Sequence, residues 1–350
     1  MDLLEQTSHR NAIAVIIPVY NGGESFRRCL ESIQSSQLPP DELIVVSDGD
    51  TDGSWQVAES FGAQVFRLPD SGGPARARNV GAKAAKSDIL FFVDADVTLH
   101  PDTITRVKQQ FQDQPALGAL IGSYDDQPGA ENFLSQYKNL FHHYTHQISA
   151  EEASTFWGAC GAVRRAAFMA VGGFDERYRK PCIEDIELGY RLKRHGYSIR
   201  LCKSIQIKHL KRWEPISLLR AEVFYRALPW TRLLLRDRQF NADLNLSHAN
   251  RLSVILAHVL LGSVIVSVWY PFGFIIAVAC ALSLLVINRD VYRFFLGCRG
   301  WWFTLKVIPW HWFYFLYGGA AFAYGTVAHQ AERWRQAVFS SSRQLRTPSS

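Results

Sequence analysis

The sequence predicts an α/β fold with a mostly parallel central sheet, and three observations carry that expectation. Short apolar runs rich in β-branched residues alternate with helical segments through the first half of the chain. The run Ile89-Leu90-Phe91-Phe92-Val93 is apolar throughout, as suits a strand covered on both faces. It stops abruptly at Asp94-Ala95-Asp96, and ligands of such sheets bind beyond the carboxyl ends of the strands.

Taken in order, Ala12–Ile17 reads as the first strand, ended by Pro18 before Tyr20-Asn21-Gly22-Gly23. Glu24–Ser35 has helical spacing, with Phe26, Leu30 and Ile33 on one side. Leu43–Val46 is the second strand and runs into Ser47-Asp48-Gly49-Asp50-Thr51-Asp52-Gly53. Trp55–Phe61 is a short helix, Gln64–Leu68 a strand and Ala75–Ala85 a helix of small residues. Leu117–Gly122 reads as an edge strand weakened by its glycines. Asn132–Ile148 is helical and aromatic, and it carries His142, His143 and His146. Without an H-E-x-x-H arrangement these histidines argue for an amphipathic helix at a bilayer or acceptor surface, not for a metal site.

Two acidic centres carry the chemistry. Asp94 and Asp96 attract a hard divalent cation, and Mg2+ or Mn2+ commonly holds phosphate oxygens as well. Glu184-Asp185 follows the turn Gly172-Gly173-Phe174-Asp175-Glu176 and opens a helix over Ile186–His195. In a helix's first turn, amide donors and the dipole stabilise the anionic form that a general base needs at neutral pH.

Six segments in order then resemble the glycosyltransferases of family 2, with the GT-A nucleotide-sugar-binding fold. They are Ile16-Ile17-Pro18-Val19-Tyr20-Asn21, Val46-Ser47-Asp48-Gly49-Asp50-Thr51-Asp52, Gly73-Pro74-Ala75-Arg76-Ala77-Arg78-Asn79-Val80-Gly81, Val93-Asp94-Ala95-Asp96, Gly172-Gly173-Phe174-Asp175-Glu176 and Glu184-Asp185-Ile186-Glu187-Leu188. Arg164-Arg165 also fits the family's pattern. The resemblance implies that Pro18 and Tyr20 line the nucleotide base, that Asp48 hydrogen-bonds it, and that Arg78 approaches the nucleotide. It implies that Asp96 ligates Mn2+ or Mg2+ on the diphosphate, with Asp94 on ribose or metal. Asp185, beside Glu184, takes the acceptor proton. Ser47 and Asp50 depart from the family, which usually has two acids at Ser47-Asp48 and Ser or Asn at Asp50. His209-Leu210-Lys211-Arg212-Trp213 resembles the Q-x-x-R-W box of membrane polysaccharide synthases, with His in place of Gln. Trp213 then stacks on a sugar or acceptor ring, Arg212 pairs with donor phosphate, and His209 is a candidate third metal ligand. One base and one metal site, with no separate nucleophile, imply direct displacement with inversion.

The net charge of +6 is unevenly spread: ten basic and four acidic residues lie between Lys203 and Arg251, just before the first long apolar segment. That placement suits an anionic lipid leaflet, and no nucleic-acid motif accompanies it. Leu252–Trp269 and Phe272–Ile287 contain no Asp, Glu, Lys or Arg and read as a membrane-spanning hairpin, with Val307–Ala328 a third candidate. Arg289, Arg293, Arg299 and Lys306 mark a cytoplasmic loop, and Ile216–Leu235, broken at Pro229-Trp230, reads as interfacial. The six scattered cysteines suit a reducing compartment, and no secretory signal is visible.

The expected organisation is a catalytic domain over residues 1–213, interfacial helices over 214–251, a membrane region over 252–328 and a basic flexible tail over 329–350. The function expected is transfer of one sugar from a nucleotide-diphosphate sugar (a UDP-sugar favoured) to a lipid or polyprenyl-phosphate acceptor, at a bacterial-type inner membrane with the catalytic domain cytoplasmic. The alternatives are a processive polysaccharide synthase and a non-catalytic membrane scaffold.

Overall fold

The computed structural model describes residues 11–237 and 248–344, with side chains through Arg335. Arg238, the remainder of the interfacial segment to residue 247, and the tail residues 345–350 lie outside the described residues. The chain divides into two compact units, Met1–Pro215 and Ile216–Ser350, two residues past the boundary expected from sequence.

The first unit opens with β1 (Ile13–Val19), α1 (Gly23–Gln34), β2 (Glu42–Asp48), α2 (Ser54–Ser60), β3 (Gln64–Leu68), α3 (Pro74–Ala84) and β4 (Ile89–Val93). These match the sequence reading, except that β1 runs through Pro18 to Val19. There follow β5 (Val97–Leu99), α4 (Thr103–Asp113), β6 (Ala119–Tyr124), α5 (Phe133–Ile148), β7 (Cys160–Arg164), α6 (Arg165–Ala170), α7 (Glu184–Arg194) and β8 (Ile199–His209). All eight strands form one sheet in the order β3-β2-β1-β4-β7-β6-β8-β5. Pairing is parallel from β3 through β4 and between β6 and β8, and antiparallel at β4–β7, β7–β6 and β8–β5.

β6 is not an edge strand. It lies between β7 and β8, and each of its six residues is buried. The glycine that weakened the reading is a requirement of close packing: a Cβ on Gly122 would sit 2.6 Å from the Ile205 carbonyl and 2.7 Å from Cys160 Sγ. α5 is likewise no surface helix, for Leu134, Tyr137, Asn139, Leu140 and Phe141 on it are buried.

Two apolar layers cover the sheet. Phe91 and Val93 face one layer with Phe26, Leu30 and Phe111, while Leu90 and Phe92 face the other with Phe156, Phe168 and Phe174. Alternation along β4 thus supplies both cores at once, which is why the run contains no polar residue. Phe92 packs edge-on to Phe156 and Phe174 at centroid distances of 6.2 and 5.1 Å, the arrangement aromatic quadrupoles favour.

The second unit holds a π-helical stretch (Ala221–Ala227), α8 (Leu228–Asp237), α9 (His248–Val266), α10 (Pro271–Ile287) and α11 (Arg289–Gln344). The expected break at Pro229 is absent. The helical backbone runs on from Ala221 through Asp237, and the turns just before Pro229, which lacks an N–H to donate, are π-helical. Among the described residues α9 alone is long and apolar enough to cross a membrane by itself, with a mean hydropathy of 1.7. α10 meets the same criterion only together with α11, across a bend of 64°. Val307–Ala328 is part of α11, which continues to Gln344, well into the segment expected to be a flexible tail.

Candidate active site

The site is assembled where the carboxyl ends of β1, β2 and β4 lie side by side and β7 enters from the opposite direction, Val93 pairing with Cys160. That reversal brings the loop before β7 against the acids after β4. Its residue Gly158 lies flat on the Arg78 guanidinium, and a Cβ there would be 2.9 Å from Cζ.

Arg78, on α3, is 4 % exposed and clamps two carboxylates: Nη2 donates to Asp94 Oδ1 at 2.7 Å and Nη1 to Glu184 Oε1 at 2.8 Å. Burial disfavours its charge, but Asp94, Glu184 and Asp185 outweigh that and raise its pKa. The guanidinium therefore joins the first acidic centre to the second. Arg78 is thus engaged by two protein carboxylates, one of them Asp94. Glu184 Oε2 also accepts from the Cys182 amide at 2.8 Å, which makes Glu184 a buried structural partner.

Asp185 is the second residue of α7, in the first turn as the sequence predicts. Its Oδ2 accepts from the Gly158 amide at 3.0 Å and its Oδ1 from the Ile186 amide at 2.8 Å. Two amide donors and the helix terminus hold it as a half-buried anion, as a base requires.

Asp96 sits between β4 and β5, and its carbonyl accepts from the Leu210 amide at 2.8 Å. That bond sets it opposite His209, the last residue of β8, with His209 Nε2 at 3.5 Å from Asp96 Oδ2. Burial pushes the Asp96 carboxyl up, but His209 and then Lys211 outweigh it and hold it below the usual carboxylate range. Among the described residues no three His, Cys, Asp or Glu side chains gather as a metal group. A carboxylate and an imidazole at this spacing nevertheless fit a divalent cation that takes its other ligands from a diphosphate. The mixed oxygen and nitrogen set suits Mn2+ better than Mg2+, which prefers oxygen alone.

On the nucleotide side, Tyr20 is 58 % exposed and Pro18 half-buried. Asp48 is buried, and its carboxylate accepts from Ser71 Oγ at 2.9 Å and from the Gly72 and Gly73 amides at 3.0 and 2.8 Å. It folds the loop that leads into α3. The two departures from the family pattern meet each other, since Ser47 Oγ donates to the Asp50 carboxylate.

The Arg212-Trp213 pair is held by partners outside the acidic cluster. Arg212 is exposed and bonded to Glu214 at 2.8 Å. Trp213 donates its amide to Ser135 Oγ, receives Asn132 Nδ2 on its carbonyl and lies under Lys211 Nζ at 4.6 Å. Sequence reasoning missed Trp157, Tyr124 and Asn139. The Trp157 ring lies 4.8 Å from Tyr124 and 4.9 Å from His142, and the Tyr124 ring stacks on His209 at 4.6 Å. No motif flags them, because β6, α5 and the β7 loop bring them together from distant positions. The histidines of α5 serve this packing: His143 bonds the Tyr124 carbonyl, and His142 and His146 bond each other at 2.9 Å.

Comparison with known proteins agrees with this geometry. The family model described as glycosyl transferase family 2 matches residues 14–172, and one described as the N-terminal domain of galactosyltransferase matches residues 140–214. The chain is 33% identical over 117 residues to glycosyltransferase GlyG of Streptococcus pneumoniae, a match over 32% of this chain and 38% of that one. It is 28% identical over 229 residues to the pre-mycofactocin glycosyltransferase of Mycobacterium tuberculosis, covering 62% of this chain and 46% of that one. The chain thus matches under half the length of these two curated relatives. Among solved structures, the mannosyltransferase PcManGT from Pyrobaculum calidifontis, solved with GDP-Man and Mn2+, superposes with a TM-score of 0.55 at 17% identity. That superposition covers 89% of this chain and 87% of the other, and it is a likeness of fold. With the motif order, the sheet and the matched models in agreement, residues 14–172 of this chain are a glycosyltransferase domain of family 2.

Proposed function

We propose that the chain is an inverting, metal-dependent glycosyltransferase. It moves one sugar from a nucleotide-diphosphate sugar to a lipid or polyprenyl-phosphate acceptor at the cytoplasmic face of a bacterial-type inner membrane. The observation that carries this reading is the pairing of two separately held acids. Asp185 is fixed by the Gly158 amide at 3.0 Å, and Asp96 lies 3.5 Å from His209 beyond the Arg78 clamp. Transfer breaks the bond between the anomeric carbon and the diphosphate oxygen and forms one to the acceptor oxygen. Asp96 and His209 would hold the divalent cation, which when bound neutralises charge developing on the leaving diphosphate. Asp185 accepts the proton of an acceptor hydroxyl. With a phosphate acceptor, already ionised, it orients the attacking oxygen instead. Pro18 and Tyr20 face the base. With one carboxylate placed as base, a single displacement inverts the anomeric centre.

The second unit supports the choice of acceptor. Ile255, Val259 and Leu261 on α9, and Phe274 and Ile275 on α10, are exposed apolar side chains of a kind that seeks lipid. Anionic lipids suit the basic residues that precede α9.

The test is turnover by the full chain in lipid nanodiscs with radiolabelled UDP-, GDP- and dTDP-sugars and polyprenyl phosphate, with and without Mn2+. Single-sugar glycolipid formed only with the metal is expected. Asp185→Asn should lower kcat by about 10²–10⁴-fold for a hydroxyl acceptor at unchanged nucleotide affinity. Long glycans would overturn single transfer, and turnover unaffected by Asp96→Asn would overturn the metal role.

A further inference from the structure

We propose that Asn139 is a positioning residue that sets the tautomer of His209, so that the neutral ring presents the lone pair of its Nε2 to Asp96. The inference rests on the metal-dependent reading above and adds to it a residue that no motif indicates.

Asn139 lies mid-way along α5 and is 1 % exposed, while His209 ends β8 and is 6 % exposed. Asn139 Oδ1 stands 2.8 Å from His209 Nδ1. With the amide oxygen turned to the ring, Asn139 accepts, and the proton of the contact belongs to Nδ1. The neutral ring then has its lone pair on Nε2, the nitrogen that faces Asp96 Oδ2 at 3.5 Å. Two acceptors facing each other at that spacing repel unless a proton or a metal ion lies between them, so this is a place where a divalent cation can replace a proton. Tyr124 stacks on the imidazole at 4.6 Å with planes 9° apart, which fixes the ring's plane while Asn139 fixes its rotation. Among the described residues the Asn139 amide nitrogen has no hydrogen-bond partner. A buried orphan of this kind costs about 1–3 kcal/mol, so Asn139 is a poor choice for packing alone. Metal-bound histidines generally need such an outer partner, whose loss weakens metal affinity about 10–100-fold.

Two readouts test the proposal on the full chain. Long-range ¹H–¹⁵N correlation of ¹⁵N-histidine-labelled protein without metal should show His209 protonated at Nδ1; a ring protonated at Nε2 alone would overturn it. Mn2+ alone, titrated by electron paramagnetic resonance, should bind about 10–100-fold more weakly to Asn139→Leu. Asn139→Asp, which restores an acceptor, should recover wild-type affinity to within about threefold. A folded Asn139→Leu chain with unchanged Mn2+ affinity would overturn the proposal, and if that variant fails to fold, the wild-type tautomer and the Asp variant decide. A wild-type chain protonated at Nδ1 that takes up no Mn2+ would support the positioning and sink the metal-dependent reading instead.

Discussion

The same residue types are packed in opposite ways in the two units. In the first, Phe91 and Phe92 of β4 are fully buried, and buried charged groups are held by polar partners, as Arg78 is by Asp94 and Glu184. In the second, Ile255 is 60 % and Phe274 65 % exposed on helices that carry almost no charge. Burial of apolar area drives folding in water, and the second unit leaves that area uncovered along most of α9 and α10. The lesson is that the first unit hides its apolar side chains whereas the second leaves many of them exposed along α9 and α10.

Removing Arg78 should produce the largest effect. Arg78→Ala leaves Glu184 buried and uncompensated, so a loss of about 3–5 kcal/mol in domain stability is expected, measured by denaturant unfolding with loss of nucleotide affinity. A loss under about 1 kcal/mol would break the account of the clamp. Phe92→Ala comes next, at about 3–5 kcal/mol from cavity formation alone, and the outward-facing Ile255→Ser should stay within about 0.5 kcal/mol in detergent. Equal effects at the two positions would erase the contrast between the units. Ile255→Ser should still reduce retention of the chain on vesicles of anionic lipid, modestly and without changing nucleotide binding.

The smallest effect concerns thiols. Burial, aided by Asp96 and Asp94, pushes the Cys29 thiol up, burial does the same at Cys160, and Cys202 is pushed up to about 11. A raised pKa keeps each group protonated and unreactive until pH rises through it, so none of the three should alkylate at pH 8 in the native chain. Half-exposed Cys182 should alkylate there, read by mass spectrometry of labelled peptides. Labelling of Cys29 at the rate of Cys182 would contradict the packing of the first core.

The first four strands and their helices were legible because each is local. Ile89–Val93 declares its own burial, and Glu184-Asp185 declares a helix start. β7 and β8 were not read as strands, and β6 was read at an edge, because their places depend on partners far along the chain. Ile121 pairs with both Gly161 and Leu201. The linear motif also could not tell which acid faces His209 and which Arg78 takes, since Asp94 and Asp96 look alike in one dimension.

The sequence by itself determined an α/β domain with two acidic centres, a helix whose first turn holds Asp185, and an apolar C-terminal half. Only the tertiary structure decided that Arg78 binds Asp94 to Glu184, that His209 meets Asp96, and that Asn139 stands behind His209. The physical reason is reach. Periodicity and helix ends are properties of a few neighbouring residues, whereas ion pairs and ring orientations depend on which strands the sheet brings side by side.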